Sequence, residues 1–252
     1  KVEHKKLTDQ VSGKYSVKSS NIAFGLAKMF DSSNLAGAFY QYAHSDRECP
    51  STTHKNNSHT FGLQGNMYLM DNVYFMGIGT YTDAKTTGDD LGSSGKKMQI
   101  YNATGKLGYD FNLGNNMLLT PKLGMGYTNA NSSSYTDANN IAHKSFTSSK
   151  ADFLANVSLQ KAMMYDDMEM LGQLFAGVRM TVWDKSDDAK FTLLDIGQDI
   201  SFPTSVVKTT YTDLGTRFAV SKDNYDISAA YTFSFAKKQS GHVGTLGLKV
   251  SF

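Results

Sequence analysis

Residues 225–235 read YDISAAYTFSF, and they alternate between large apolar and small polar side chains almost without a break. Neighbouring side chains of a β-strand point to opposite faces. The alternation therefore predicts a strand with one apolar face and one polar face. The apolar face holds Tyr225, Ile227, Ala229, Tyr231, Phe233 and Phe235, and the polar face holds Asp226, Ser228, Thr232 and Ser234.

The same pattern extends outward from this segment in both directions. It continues to the C-terminus, where Leu246, Leu248, Val250 and Phe252 alternate with Gly247, Lys249 and Ser251. It recurs in residues 61–69, 101–111, 119–127 and 153–159. Residues 34–44 and 73–81 carry apolar side chains in both phases, so their faces stay unassigned. The periodicity predicts an all-β chain.

The composition excludes several classes of protein. A net charge of +2 over 252 residues gives no reason to expect a nucleic-acid partner. The single cysteine, Cys49, rules out a disulfide framework and a thiolate zinc cluster. No window approaches the roughly 18 apolar residues of a membrane helix. The first ten residues also lack the pattern of a signal peptide.

Two folds fit the alternation. A soluble sandwich packs its apolar faces inward, whereas a membrane barrel turns them toward lipid and encloses a wet lumen. The polar faces favour the barrel, because they mix charges of both signs with repeated glycines, including Gly62, Gly108, Gly124, Gly177 and Gly215. The charged residues expected to line the lumen are Lys106, Asp110, Lys122, Asp152, Arg179, Asp213, Arg217, Asp226 and Lys249.

The spacing of the strands gives a second argument for the barrel. Short predicted turns, at 31–33, 71–72, 112–116, 165–167 and 221–224, alternate with longer connections at 47–57, 82–96, 130–146, 184–207 and 237–241. Outer-membrane barrels have short periplasmic turns and long extracellular loops. Eleven strands fit between about residue 19 and Phe252, and residues 1–9 supply another, so the prediction is a twelve-stranded antiparallel up-and-down transmembrane β-barrel. Residues 1–252 form one domain, and a segment upstream of Lys1 is expected.

Three segments resemble a known family. They are SSNIAFGLAKMFDSSNLAGAFYQYA (19–43), LLTPKLGMGYTN (118–129) and YDISAAYTFSFAKKQSGHVGTLGLKVSF (225–252). The chain resembles the C-terminal β-barrel translocator domain of autotransporters, the type V secretion proteins, and within them the surface-cell-antigen group of obligate intracellular bacteria. In the first segment, LAKMF replaces the family's G-x-D.

The resemblance implies a bacterial outer-membrane location and export of an N-terminal passenger, often an adhesin and virulence factor. The implied partners are the lipid bilayer, the barrel assembly machinery, the passenger and, through the passenger, a host-cell receptor. Thr245, Gly247, Val250 and Phe252 are similar to the C-terminal signal that the assembly machinery recognises. Relatives carry a helix and linker inside the lumen, and this sequence has none, so no residues of passenger cleavage are assigned.

No catalytic or metal-binding pattern stands out in the sequence. The lumen carboxylates lie among basic residues, so ion pairing across the lumen is expected rather than acid–base catalysis. His54 and His59 lie near Cys49 without the spacing of a zinc site. Residues 88–97, GDDLGSSGKK, lack the spacing of a phosphate-binding loop. We therefore expect no enzyme activity, no metal and no cofactor.

Three functions remain open on the sequence. The leading hypothesis is translocation of a passenger polypeptide. The alternatives are a small-solute porin and a surface adhesin that binds through its outer loops, the longest of which, at 184–207, is expected to fold over the mouth or to form an extra hairpin.

Overall fold

The structure is a computed structural model, and it describes residues 2–9, 13–31, 34–49, 52–92, 95–195, 197–204, 209–237 and 239–251. Side chains are described from Ser16 onward. No helix within these ranges is long and apolar enough to cross a membrane.

Every described element of regular structure is a β-strand. The strands are β1 (Val2–Asp9), β2 (Gly13–Met29), β3 (Leu35–Glu48), β4 (Thr53–Met70), β5 (Val73–Thr87), β6 (Lys96–Tyr109), β7 (Phe111–Gly114), β8 (Met117–Ser132), β9 (Tyr135–Thr136), β10 (Ile141–His143), β11 (Phe146–Tyr165), β12 (Met168–Ser186), β13 (Ala189–Leu193), β14 (Gln198–Phe202), β15 (Thr210–Lys222), β16 (Tyr225–Ala236) and β17 (Gln239–Val250).

The long strands pair in chain order and close on themselves. Antiparallel ladders run from β1 through β2, β3, β4, β5 and β6 to β8, then through β11, β12, β15 and β16 to β17. The last strand pairs back with the first, with Val2 opposite Gly244 and Leu7 opposite Gln239. The short strand β7 continues the β6 side of the hairpin and pairs with β8. This confirms the predicted antiparallel up-and-down architecture.

The apolar faces of the strands point away from the interior of the ring. Leu246 and Leu248 are 82% and 69% exposed, and Leu63 and Leu123 are also exposed. Within the described ranges the buried apolar residues are Tyr74, Ala84 and Ala219, and no large side chain is fully buried. A sandwich of this size would bury many such side chains in its core. The exposed apolar surface instead suits contact with lipid.

The two ambiguous strands gain definite faces from their register. In β3 Tyr40 lies opposite Phe61 and shares its outward face, while Phe39 points inward. In β5 Phe75 is outward and exposed, whereas Tyr74 is inward and buried. Both faces of these segments are apolar because the interior itself accepts aromatic side chains at selected positions.

The short turns lie at one rim of the ring, as predicted. The turn between β7 and β8 places Asn115 and Asn116 at φ of 51° and 57°. Two successive left-handed residues form the hairpin turn whose twist matches that of the flanking strands. Asp166 and Asp223 also adopt positive φ in the next two turns along this rim.

The connections at the opposite rim are shorter than the sequence suggests. The sequence predicts a loop at residues 47–57, yet β3 continues to Glu48 and β4 begins at Thr53. Likewise β5 extends to Thr87 and β6 begins at Lys96 inside the expected loop at 82–96. The ladder hydrogen bonds continue beyond the apolar part of the strands, toward this rim. There both faces of each strand are polar, so the sequence shows no alternation that would predict a strand.

The two longest connections meet in a separate four-stranded sheet with the order β14, β13, β10, β9. β13 and β14 form the extra hairpin expected within 184–207, and β10 comes from the connection between β8 and β11. In this sheet His143 stacks on Tyr135 with a centroid distance of 4.4 Å, and its Nε2 lies 3.1 Å from Asp137 Oδ2. Burial alone would raise the pKa of Asp137, but hydrogen bonds from the Ile141 N–H, His143 and the Asn139 N–H outweigh it and hold that pKa below its usual value. The ionised carboxylate thus fixes the turn that precedes β10.

Candidate functional site

The polar face of the ring is the candidate functional site, because it brings together most of the charged residues singled out in the sequence. Consecutive strands place Lys106, Gly124, Leu154, Arg179 and Tyr211 directly opposite one another in a single row. A neighbouring row holds Gly108, Lys122, Asn156, Gly177 and Asp213. Charged residues of four separate strands therefore lie in two adjacent bands that cross five strands.

One cavity of about 300 Å³ lies against these bands. Its wall includes Lys106, Arg179 and Asp213, together with the apolar side chains Ile78 and Leu154. The sequence predicts the charged members of this wall as lumen-lining residues. It missed the apolar members, because period two alone assigns Leu and Ile to the lipid face.

The cations of the first band are held along the wall. Lys106 Nζ donates to Asn156 Oδ1 at 3.0 Å. The Arg179 guanidinium stacks over the Tyr211 ring at 4.8 Å, and its Nε is buried without a hydrogen-bond partner among the described residues. These contacts keep both long side chains flat against the strands instead of extended into the bore.

A second cavity, of about 400 Å³, surrounds Asp110 closer to the short-turn rim. Tyr68 Oη donates to Asp110 Oδ2 at 2.8 Å, and Thr120 Oγ1 donates to Asp110 Oδ1 at 2.7 Å. Lys122 Nζ lies 5.9 Å from the centre of the Tyr74 ring. Tyr68, Tyr74 and Thr120 were not identified from the sequence, because hydroxyl partners leave no spacing signal.

Three more of the predicted charges contact residues of an adjacent strand. Lys249 Nζ lies 2.9 Å from Asp226 Oδ2, and the two residues are directly opposite in the β16–β17 ladder. Ser234 Oγ donates to Asp213 Oδ1 at 2.5 Å. Arg217 is exposed on the same polar face, opposite Gln173 and Ala230 in its two ladders.

Asp152 lies nearest the long-loop rim. Its Oδ2 accepts from Lys150 Nζ at 2.9 Å and its Oδ1 accepts from Thr181 Oγ1 at 2.7 Å. The expectation of ion pairing across the lumen is therefore replaced by pairing along the wall. Side chains on adjacent strands are about 5 Å apart, whereas the bore separates opposite walls by much more.

Glycines explain how large side chains lie flat on this wall. A Cβ at Gly62 would lie 2.1 Å from the Phe39 ring, and one at Gly108 would lie 2.6 Å from the Tyr74 ring. A Cβ at Gly215 would likewise clash with the Phe175 ring, and a Cβ at Gly177 would clash with the Asn156 side chain. Each missing side chain leaves space that a residue of the neighbouring strand fills. The glycines of the polar faces thus keep the interior open.

The Asp110 cluster gives a measurable prediction. Asp110→Ala leaves the hydroxyls of Tyr68 and Thr120 without their acceptor, and Thr120 is only 3% exposed. We expect a loss of about 2–3 kcal/mol in the free energy of unfolding, the cost of stranding buried polar groups. Urea unfolding of the refolded protein in lipid vesicles measures it.

The matched control for this prediction is Asp226→Ala. Its partner Lys249 is 64% exposed, and exposed ion pairs contribute at most about 1 kcal/mol. An Asp110→Ala variant no less stable than the Asp226→Ala variant would contradict a structural role for the cluster.

The two histidines near the single cysteine each contact one neighbouring side chain. His54 Nε2 lies 2.7 Å from Asp90 Oδ1, and His59 Nδ1 lies 2.6 Å from Tyr40 Oη. Cys49 is half-buried and free. Across the part of the chain that the structure describes, no three His, Cys, Asp or Glu side chains are grouped to hold a metal ion.

Three of the four predicted assembly-signal residues lie in the last strand, β17. Thr245, Gly247 and Val250 lie opposite Ala230, Ser228 and Tyr225 in the β16–β17 ladder. Phe252 lies outside the described residues. Leu246, Leu248 and Val250 form the outward face of this strand.

Solved structures with this architecture are known. The translocator domain of the autotransporter NalP from Neisseria meningitidis superposes with a TM-score of 0.74 and 16% identity, covering 100% of this chain and 86% of that one. The beta domain of the Bordetella autotransporter Brka gives a TM-score of 0.67 and 14% identity, covering 100% and 98%. These likenesses establish the barrel fold.

Comparison of the sequence with known proteins identifies relatives in the outer membrane of bacteria. The chain is 24% identical over 274 residues to outer membrane protein B of Rickettsia typhi, covering 94% of this chain and 16% of that protein. The corresponding protein of Rickettsia prowazekii is also 24% identical, over 266 residues. The chain thus spans about a sixth of the length of these relatives. The profile of the family described as "Autotransporter beta-domain" matches residues 3–232. The chain belongs to the autotransporter beta-domain family and is a β-barrel of the bacterial outer membrane.

Proposed function

We propose that this barrel anchors an N-terminal passenger in the outer membrane and exports it to the cell surface through its interior. The observation that supports this most directly is the pairing of charged side chains on the inner wall. Several of its charges are held by neighbours on the same wall, as in Lys106 with Asn156 and Asp226 with Lys249. Because these groups already have partners, an extended polypeptide can pass without being held by strong new contacts.

The size of the ring also supports export. Barrels of eight strands fill their interior with side chains, whereas those of 16–18 strands leave a wide aqueous channel. A ring with the predicted twelve strands lies between these limits. Glycines at Gly62, Gly108 and Gly215 let aromatic rings lie flat, which widens the bore further. A bore of this kind suits one or two extended segments of polypeptide.

We infer that the passenger is a surface antigen of the adhesin type. Support comes from the family, from the length of the outer-membrane relatives and from the resemblance of the motifs in residues 19–43 and 225–252 to the surface-cell-antigen group. On this proposal residues 1–252 are the membrane-embedded unit of a longer protein.

We also propose that the last strand carries the recognition signal for the barrel assembly machinery. Thr245, Gly247, Val250 and Phe252 are the residues concerned. Of these, Val250 belongs with Leu246 and Leu248 to the exposed outward face of β17, which supports recognition from outside the sheet.

Export is tested with the complete protein, passenger included, in the outer membrane of intact cells. Added protease should digest the passenger while the barrel stays intact, and planar-bilayer recordings of the complete protein should show low conductance. A passenger retained in the periplasm behind a correctly inserted barrel would refute the proposal. A large, steady conductance of the complete protein would favour the porin alternative.

A further inference from the structure

An aromatic row and a basic patch lie one above the other on the outward surface of the barrel. The aromatic row follows the register of five consecutive strands and consists of Phe24, Tyr40, Phe61, Tyr81 and Tyr101. Ring centroids are 5.2 Å apart for Phe24 and Tyr40, 5.1 Å for Tyr40 and Phe61, and 5.2 Å for Tyr81 and Tyr101. Barrel strands are tilted, so this row runs obliquely to the membrane plane. Its members Tyr81 and Tyr101, on β5 and β6, mark for those two strands the level at which the hydrocarbon of the bilayer meets its headgroups.

The basic patch consists of Lys55, Lys85 and Lys97. Four residues along the strand from Tyr81, toward the long-loop rim, Lys85 lies directly opposite Lys97. Lys55 is on the adjacent strand, opposite Thr87. All three side chains are exposed on the same outward face as the aromatic row. The Lys85–Lys97 pair is about 13 Å along the strands from the row, at a rise of about 3.3 Å per residue.

Two lysines directly opposite each other repel, so this arrangement destabilises the isolated hairpin. Neither lysine has an ion pair with a carboxylate of the described residues. The nearest acidic positions on this face are Asp83, two residues from Lys85, and Asp46, opposite Lys55. Asp46 lies instead 3.4 Å from His44 Nε2. An external anion would relieve the repulsion between Lys85 and Lys97.

We propose that the basic patch binds the phosphorylated headgroup of an anionic glycolipid in the outer leaflet of the outer membrane. Tyr81 and Tyr101, on the same two strands, place the acyl chains below and the sugars and phosphates at and above their level. Lysines near a membrane surface attract anionic headgroups, and the cross-strand spacing of about 5 Å lets one phosphate contact both ammonium groups. The patch thereby fixes the height of this side of the barrel in the membrane.

The test measures binding of bisphosphorylated lipid A to the purified, refolded barrel in a non-ionic detergent. The double variant Lys85→Gln/Lys97→Gln should bind about thirtyfold more weakly, as expected for the loss of two charges at a membrane surface. Lys85→Arg/Lys97→Arg should retain binding, since charge and reach are kept. Heat-modifiable gel migration verifies that each variant has folded.

The matched control is Lys28→Gln/Lys161→Gln. These lysines are exposed on the outward face near the opposite, short-turn rim. This variant should bind lipid A as the wild type does. Equal binding by the Lys85/Lys97 and control variants would overturn the proposal. Displacement of lipid A by inorganic phosphate at equal phosphate concentration would also overturn it, because the site would then recognise the anion without the lipid.

Discussion

Gly124→Ala is expected to prevent the barrel from reaching its normal level in the outer membrane. A Cβ at this position would lie 2.2 Å from the Gly105 carbonyl oxygen and 2.7 Å from Lys106 Cγ. The oxygen belongs to the backbone of the neighbouring strand, so the clash can be relieved only by opening the β6–β8 ladder. We expect the free energy of unfolding to fall by about 3 kcal/mol, the upper part of the range for overpacking.

The control for this prediction lies two residues further along the same strand and on the same face. At Gly126 the nearest atom to an added Cβ is Thr104 Oγ1, at 3.3 Å, and a hydroxyl can rotate away. Gly126→Ala should change the free energy of unfolding by less than about 0.5 kcal/mol. Unfolding in lipid vesicles and outer-membrane levels of both variants provide the comparison. Equal behaviour of the two would show that the close contact at Gly124 is not what limits assembly.

Thr104→Trp is expected to block export while leaving insertion intact. Thr104 lines the cavity of about 300 Å³ that also contains Lys106 and Arg179. An indole at this position fills space that the proposed passenger would use. The wild-type hydroxyl makes no hydrogen bond that would be lost within the described residues. Protease accessibility of the passenger on intact cells should fall several-fold.

The adjacent residue supplies a control for size and hydrophobicity. Ala103 is exposed on the outward face opposite Tyr127. Ala103→Trp adds the same indole toward the lipid, where aromatic side chains are well tolerated. This variant should insert and export as the wild type does. If Thr104→Trp exported its passenger normally while folded, the passenger would not pass through this part of the interior.

The sequence predicts the outward face of the barrel wall better than the inward face. The outward face of 225–235 and of the last strand is confirmed, because exposed residues such as Ile227 and Leu248 follow the alternation directly. The face of 73–81 could not be read in the same way. There Tyr74 points inward only because Gly108, more than thirty residues away, leaves room for its ring.

The partners of the charged side chains could not be predicted from the sequence either. The sequence singled out Asp110, yet its partners Tyr68 and Thr120 come from two other strands. The sequence also placed Asp226 among basic residues without indicating which one it meets. Lys249 is the partner because the β16–β17 register sets the two side chains opposite each other.

The alternation of side chains determined the class of fold and the face that meets lipid. It can do so because period two is a local property: each strand separates its own apolar and polar residues, whatever its neighbours are. The tertiary structure alone decided which glycine receives which side chain, which charges pair along the wall and where Lys85 meets Lys97. These depend on register between segments that are distant in sequence, and a shift of one residue would exchange every inward and outward side chain.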